Sequence, residues 1–408
     1  MGTSFFSQDS PFVKTIQAAA CVVQDESDCP QMPFERGNGL LSDPYKLSQL
    51  CEACFLASLE SEERREVRGT LAICSPHPSF LARYLTHEVP VTIPNLVSLL
   101  TASPSSPLAV HGGASSLRIW GMLDAAPDEL ILLRITGNGT LQASQSGNVL
   151  ALYQKGVTST PKAADVKSLG QLMARTLDKK NFLEIQSNIP TRIIRMVTTM
   201  IHHGHGGALV VVDPHNQSWM ESIRFAFTFG DKAASYASEH KNHYGADVCK
   251  SLHDYGSLFV GNLNKRNYLN SLKPFEQDYL KSLDDLLFYR VGELSLIDGA
   301  VVIDMDLKLY GFGAKLKLGP SDFFITALNA VTGALRKGIS LAQIGGMRHQ
   351  SAACFVNNNH LADVFVVSQD GRLSLFCWSS KLNCVAVVQD LEHFIWEFQP
   401  GRGNASLR

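Results

Sequence analysis

Hydrophobic and polar positions follow two different rhythms along this chain. Between residues 115 and 156 apolar positions recur with loose alternation. Leu117, Ile119 and Trp120 open one run, Leu130 to Ile135 form a second, and Leu141, Val149, Ala151 and Tyr153 continue it. Gly137-Asn138-Gly139 and Gly147-Asn148 fall between them and supply residues that tolerate positive φ at tight turns. The pattern predicts a small antiparallel sheet. Further on the rhythm changes to short unbroken apolar runs, Ala208 to Val212 and Val301 to Ile303, which read as strands buried on both faces. Helical spacing joins Leu169, Leu172 and Met173, and again Ile193, Ile194, Met196, Val197, Met200 and Ile201 before a stop at Gly204. The remaining pattern predicts a long helix from about Pro274 to Leu296, a helix over Phe323 to Leu335, strands at Ala352 to Phe355 and Val364 to Val367, and a hairpin through Gly371 to Leu373–Phe376.

These elements imply an α/β protein. A C-terminal layered α/β domain over residues 191–385, with a mixed central sheet flanked by helices, is preceded by an α+β region over 1–160 that contains the small antiparallel sheet. The polar, proline-containing segment Thr158 to Val166 marks the boundary, 161–190 reads as a linker helix and 386–408 as a tail. The charged stretch Leu59 to Gly69 is expected as a solvated helix face. Pro90, Pro94, Pro104 and Pro107 favour loops and strands beyond Val89.

Charge narrows the partners. A formal net charge of −2 supplies no overall field to gather nucleic acid or anionic membrane. No run of eighteen apolar residues suits a spanning helix, and the opening residues lack a basic segment followed by an apolar one, so a cytoplasmic protein is expected. Nine scattered cysteines do not resemble a secreted disulfide framework. Cys51 and Cys54 form a C-x-x-C that Cys21 and Cys29 could extend to four zinc ligands, but the poor spacing and apolar neighbours favour small buried hydrophobes. His202, His203 and His205 raise a metal hypothesis against a simpler one, histidines at the negative end of a helix dipole before a glycine stop.

Three segments carry candidate chemistry: Asp298-Gly299-Ala300 before a buried strand, Gly346-Met347-Arg348-His349-Gln350-Ser351 before a later one, and Ser368-Gln369-Asp370-Gly371 after the next. In this order, with His205 to Val210 as a first core strand, the sequence resembles the diadenylate cyclase domain, including its DNA-integrity-scanning type. In that family a DGA turn and an RHR motif line an ATP site and a serine-and-acid segment closes it. The resemblance covers just under half of the chain. It implies condensation of two ATP into cyclic di-AMP and pyrophosphate across facing subunits of a homodimer or higher homo-oligomer, with Mg²⁺ or Mn²⁺.

The implied roles match the residue types. Asp298, Arg348 and His349 would be catalytic. Asp298 would hold the metal with Asp370, and Arg348 would clamp the triphosphate with its planar fork of donors. Gly299, Ala300, Gly346, Met347, Gln350, Ser351, Ser368 and Gln369 would line the nucleotide. Two positions depart from the pattern: the second arginine of RHR is Gln350, and the hydroxyl residue before the first is Met347. The interval from Asp298 to Arg348 is also longer than usual, and Lys315 within it could replace a lost positive charge. These departures define the alternative, a sensor that keeps the fold to bind ATP or a cyclic dinucleotide without turnover.

Overall fold

The computed structural model describes residues 5–25, 39–62, 65–77, 80, 82–103, 106–113, 116–124, 126–127, 129–163, 166–178, 189–228, 288–305, 307–319 and 322–395. They fall into two compact units, one built on Met1–Leu169 and the other on Gly170–Ala330 with Ala334–Pro400.

The first unit opens with helices α1 (Pro11–Asp25) and α2 (Pro44–Leu59), the second capped by Asp43, whose carboxylate accepts the Tyr45 and Lys46 amides. The charged stretch after α2 is a hairpin, β1 (Ser61–Glu62) with β2 (Arg65–Glu66), rather than the solvated helix face expected there. In its register Glu62 stands opposite Arg65, so opposite charges fall at a cross-strand pair. Strands β3 (Gly69–Ile73) and β4 (Ala82–Pro90), helix α3 (Ile93–Ala102), and strands β5 (Leu108–Gly112), β6 (Leu117–Leu123), β7 (Leu132–Gly137), β8 (Thr140–Gln145), β9 (Asn148–Gln154) and β10 (Val157–Ser159) follow.

The sheet is larger than the small antiparallel one predicted. It has eight strands in the order β10-β9-β8-β7-β3-β5-β6-β4, and β3 runs parallel to β5 with Leu71 opposite Leu108. Alternation along β3 sends Leu71 and Ile73 into a core shared with Phe12 and Ile16 of α1, Leu50, Cys51 and Cys54 of α2, and Leu96 and Leu100 of α3. Ala72 joins a second cluster with Cys74, Phe80 and Trp120. A strand buried on both faces shows no alternation in sequence, so GTLAI carries no strand signature of its own. Burial pushes the Cys51 and Cys54 thiols far up, so they act as small apolar side chains. Cys29 lies outside the described residues.

Helix α4 (Val166–Leu177) runs across the division at Leu169 and Gly170, and the second unit then contains helix α5 (Ile189–His202), β11 (Gly207–Val212), β12 (Ile223–Arg224), β13 (Phe227–Thr228), β14 (Ala300–Asp304), β15 (Leu309–Leu316), β16 (Ile325–Asn329) and β17 (Leu335–Ile339). Helix α6 (Met347–Asn358), β18 (Asp363–Val367), β19 (Leu373–Ser379), β20 (Cys384–Gln389) and the short α7 (Glu392–Ile395) complete it. Its strands form a mixed sheet in the order β12-β15-β14-β11-β18-β19-β20-β16-β17, with β13 also paired to β15. Ala352, Ala353, Phe355 and Val356 of α6 pack with Val210, Val302, Val364, Val366 and Phe376 on one face. Helix α5 packs against β18, and its buried Ile193, Met196, Val197 and Met200 stand outside that cluster, on the other face.

Two expected elements change type. Ala352 to Phe355 lies within α6 and not in a strand: an unbroken apolar run reads alike in a buried strand and a buried helix, and the helix begins at Gly346 with helix-compatible Arg348 and Gln350. Phe323 to Leu335 is not a helix but the hairpin β16–β17, turning at Thr332-Gly333 with φ +66° at the glycine. Its β-branched Ile325 and Thr326 and that turn outweigh the helical spacing. Of the long helix expected over Pro274 to Leu296, residues 288–293 are helical, Leu294–Leu296 are a 3₁₀ turn, and the rest lies outside the described residues. β20 and α7 carry ordered structure past the end expected at residue 385. Among the described residues no helix is long and apolar enough to cross a membrane.

Candidate functional site

Strand register gathers the three motif segments. Ala208 lies opposite Ala300 in the parallel β11–β14 pair, and Gly207 opposite Val367 in the antiparallel β11–β18 pair. Gly206, Gly299 and Ser368 therefore stand at one end of adjacent strands. Helix α6 begins at that same end with Gly346 as its N-cap, uncapped by any side chain.

Arg348 sits in the first turn of α6 at the centre of this arrangement. Its Nη2 is 3.7 Å from Asp298 Oδ1, and its Nη1 donates to the His205 carbonyl at 3.4 Å. A Cβ added at Gly206 would lie 2.9 Å from Arg348 Nη1 and from the Val367 carbonyl, and 3.2 Å from the Gln369 nitrogen. Those three groups thus converge on one point, and the φ of +68° at Gly206 is a left-handed conformation glycine adopts without penalty. Gly299, at φ +122°, is needed for a second close approach: a Cβ there would meet the Gly313 carbonyl carbon at 2.5 Å. That contact presses the DGA turn against β15 and leaves the Asp298 side chain 89% exposed. An exposed pair of this kind contributes little stability and is readily exchanged for a ligand group.

His349, like its neighbour Arg348, is half-buried. Burial is the main cause that lowers its pKa, Arg348 acts in the same sense, and the Asp370 carboxylate opposes both. Its ring meets Phe376 edge-on at 5.9 Å. Asp370 is already engaged, accepting from the Ser368 hydroxyl and lying 3.1 Å from the Arg372 Nε. Ser368 is spent within the same turn, where its Oγ also receives the Arg372 amide at 3.1 Å. Gln350, in place of the second arginine, folds back to donate to the Gly345 carbonyl at 3.0 Å, and the Ser351 hydroxyl donates to the Arg348 carbonyl at 3.1 Å. Met347 is 64% exposed, Gln369 is exposed beside the cluster, and Lys315 is exposed on β15.

The histidine cluster has another use. His203 Nδ1 accepts the His205 amide at 3.1 Å, which fixes the proton on Nε2, 2.8 Å from the Ser295 hydroxyl. Ser295 in turn donates to the Gly292 carbonyl at 2.7 Å. Burial and the neighbouring His205 lower the His203 pKa, so the ring is a neutral tie between α5 and the residues before β14, not a cation answering the helix dipole. Among the described residues no three His, Cys, Asp or Glu side chains form a metal-holding group. The Asp298 carboxylate, exposed and paired only with Arg348 among the contacts described above, is a single oxygen ligand rather than a metal-holding set.

Sequence reasoning did not single out Arg372, Glu392 or His393. The Asp370-Gly371-Arg372 spacing across a hairpin was the signal for the first. Glu392 is buried and accepts the Leu373 amide at 2.9 Å. Burial, with Asp390 adding to it, pushes its carboxyl up to about 8, and burial pushes the adjacent His393 down to about 4. Their 3.6 Å approach is therefore a contact between neutral groups and not an ion pair.

Residues 38–124 match a family described as Probable sensor domain DACNV, a sensor associated with diadenylate cyclases and distinct from the catalytic domain. The match lies inside the first unit, not in the segment whose motifs resemble the cyclase. No curated protein matches the chain.

Proposed function

We propose that this protein is a sensor whose second unit binds ATP or a cyclic dinucleotide at the cluster around Arg348, without condensing it. The observation that carries binding is the convergence of the Arg348 guanidinium, the exposed Asp298 carboxylate and the uncapped start of α6 on one end of the sheet. A helix start offers free amides to phosphate, and arginine offers a planar fork. Asp298 is the residue that would hold a divalent ion, Mg²⁺ or Mn²⁺, arriving with a triphosphate. The loss of turnover rests on Gln350, whose amide is turned to Gly345, and on Asp370, engaged by Ser368 and Arg372. The sensor match in the first unit supports the same reading.

One observation favours the second reading, a diadenylate cyclase acting as a homodimer: Asp298, Arg348 and His349 are all present at the site, with Asp298 open to solvent. Calorimetry with ATP–Mg²⁺ and with cyclic di-AMP, alongside mass-resolved analysis of products, separates the two. The sensor binds one of these, forms no cyclic product, and loses roughly 10- to 100-fold in affinity in Arg348→Ala. Cyclic di-AMP formed by wild type and not by Asp298→Asn would establish the cyclase; binding of neither nucleotide would refute both.

A further inference from the structure

Arg348 has a long side chain that is 39% exposed, and its carboxylate partner, Asp298, is 89% exposed. An exposed carboxylate 3.7 Å away restrains a guanidinium little. The other contact is the His205 carbonyl, which accepts from Arg348 Nη1 at 3.4 Å. A backbone acceptor can aim the fork only if that backbone is itself held. His205 lies between Gly204 and Gly206, both at φ +68°, and glycine restrains the chain least of all residues.

The His203 side chain supplies the hold. Its Nδ1 accepts the His205 amide at 3.1 Å, and its Nε2 stands 2.8 Å from the Ser295 hydroxyl. Ser295 already donates to the Gly292 carbonyl at 2.7 Å, so towards His203 it accepts. Three bonds therefore run in one direction, from the His205 amide through the imidazole and the hydroxyl to the Gly292 carbonyl, and each supports the next. An imidazolium would set a second N–H against the His205 amide. Only the neutral ring closes the chain, and burial, with His205 next, favours that form.

The far end of the chain is firmly seated. A Cβ at Gly292 would lie 2.7 Å from the Met196 carbonyl and from Thr199 Cβ on α5, and one at Gly207 would lie 2.9 Å from Ser295 Cβ. Ser295 is thus pinned between α5 and the start of β11. We propose that His203 is a positioning residue of the nucleotide cluster: anchored on Ser295, it fixes the His205 backbone whose carbonyl directs the Arg348 guanidinium towards a phosphate. This rests on the nucleotide reading given above. His203 touches no ligand in this role and acts through Arg348.

The test is calorimetry of the full chain with ATP–Mg²⁺ and with cyclic di-AMP, beside urea unfolding of each variant. His203→Ala should weaken the nucleotide that wild type binds by about 5- to 10-fold, the worth of roughly one hydrogen bond. His203→Asn keeps an acceptor for an amide two residues on, as in an Asx turn, and should recover most of that loss. Arg348→Lys keeps a cation for phosphate and loses the fork, so adding His203→Ala to it should cost less than about 2-fold. Should His203→Ala not fold, Ser295→Ala takes its place in the same cycle. The proposal alone is overturned if wild type binds and the variant binds equally well, whatever its urea transition. It is equally overturned if the loss is as large beside Arg348→Lys as in wild type, because a general loosening of the fold takes no account of Arg348. Binding of neither nucleotide by wild type overturns the nucleotide reading with it.

Discussion

Glu392 allows a stability measurement with a definite sign. Its carboxyl is raised from 4.5 to about 8 by burial, so between those values the native state holds a proton that the unfolded chain has released. Stability contributed by this group is fully present below pH 4.5 and is lost as pH rises through about 8, at ~1.4 kcal/mol per pH unit. Buried His393 has the opposite sense: lowered from 6.5 to about 4, it contributes stability above 6.5 that is lost as pH falls through about 4. The two slopes oppose each other between 4.5 and 6.5, and Glu392 alone acts from 6.5 to 8. Glu392→Gln keeps an acceptor for the Leu373 amide and removes the titration. Urea unfolding followed by tryptophan fluorescence reports mainly on the second unit, whose sequence contains Trp219, Trp378 and Trp396. The variant should gain on wild type steadily from pH 4.5 to 8, by ~5 kcal/mol in all, and run parallel to it beyond. A difference that stays constant with pH would refute the reasoning, because it would mean that Glu392 is ionised in the native protein.

Three further outcomes follow from the geometry. Gly206→Ala places a methyl 2.9 Å from both Arg348 Nη1 and the Val367 carbonyl in a left-handed conformation; it should cost about 1–2 kcal/mol in denaturant unfolding and at least 10-fold in nucleotide affinity. His349, its pKa lowered mainly by burial, is neutral at pH 7 and should take up a proton beside a bound phosphate, so calorimetric affinity should rise as pH falls from 8 to 6 and stay flat in His349→Gln. Phe12→Ala removes a fully buried ring packed near Phe6 and Tyr153 and should lower the stability of the first unit by ~3–5 kcal/mol in thermal or urea unfolding.

Much of the second unit was legible because buried strands announce themselves: Ala208 to Val212, Val301 to Ile303 and Val364 to Val367 all form strands near the positions their apolar runs predict. What misled was the same signal. In Ala352-Ala353-Cys354-Phe355 it marks a helix, because continuous burial carries no period. The meeting of Asp298 with Arg348 followed from motif order, yet the partners that position them did not. The His205 carbonyl, the Gly206 approach and the Gly313 contact are backbone features that leave no side-chain pattern in sequence. Asp370 and Ser368 carried the right chemistry for a ligand, but Arg372, two residues beyond Asp370, binds that carboxylate. In the first unit β3 and β5 went unseen for want of alternation, so the sheet was expected at about half its extent.

The placement of β3 bears on how this unit can be moved between proteins. Its neighbours are β5 on one side and β7 on the other, with Gly69 opposite Ile135. A gene fragment cut at the limits of the sensor match, residues 38–124, would discard β7 to β10 and α1. It would leave a fully buried strand with an open row of amides and carbonyls, the template on which chains pair with one another. The heritable module is therefore longer than the recognisable one. Recombination that respected only the matched segment would yield an aggregating stub, whereas exchange of residues 5–163 would carry the sheet across whole.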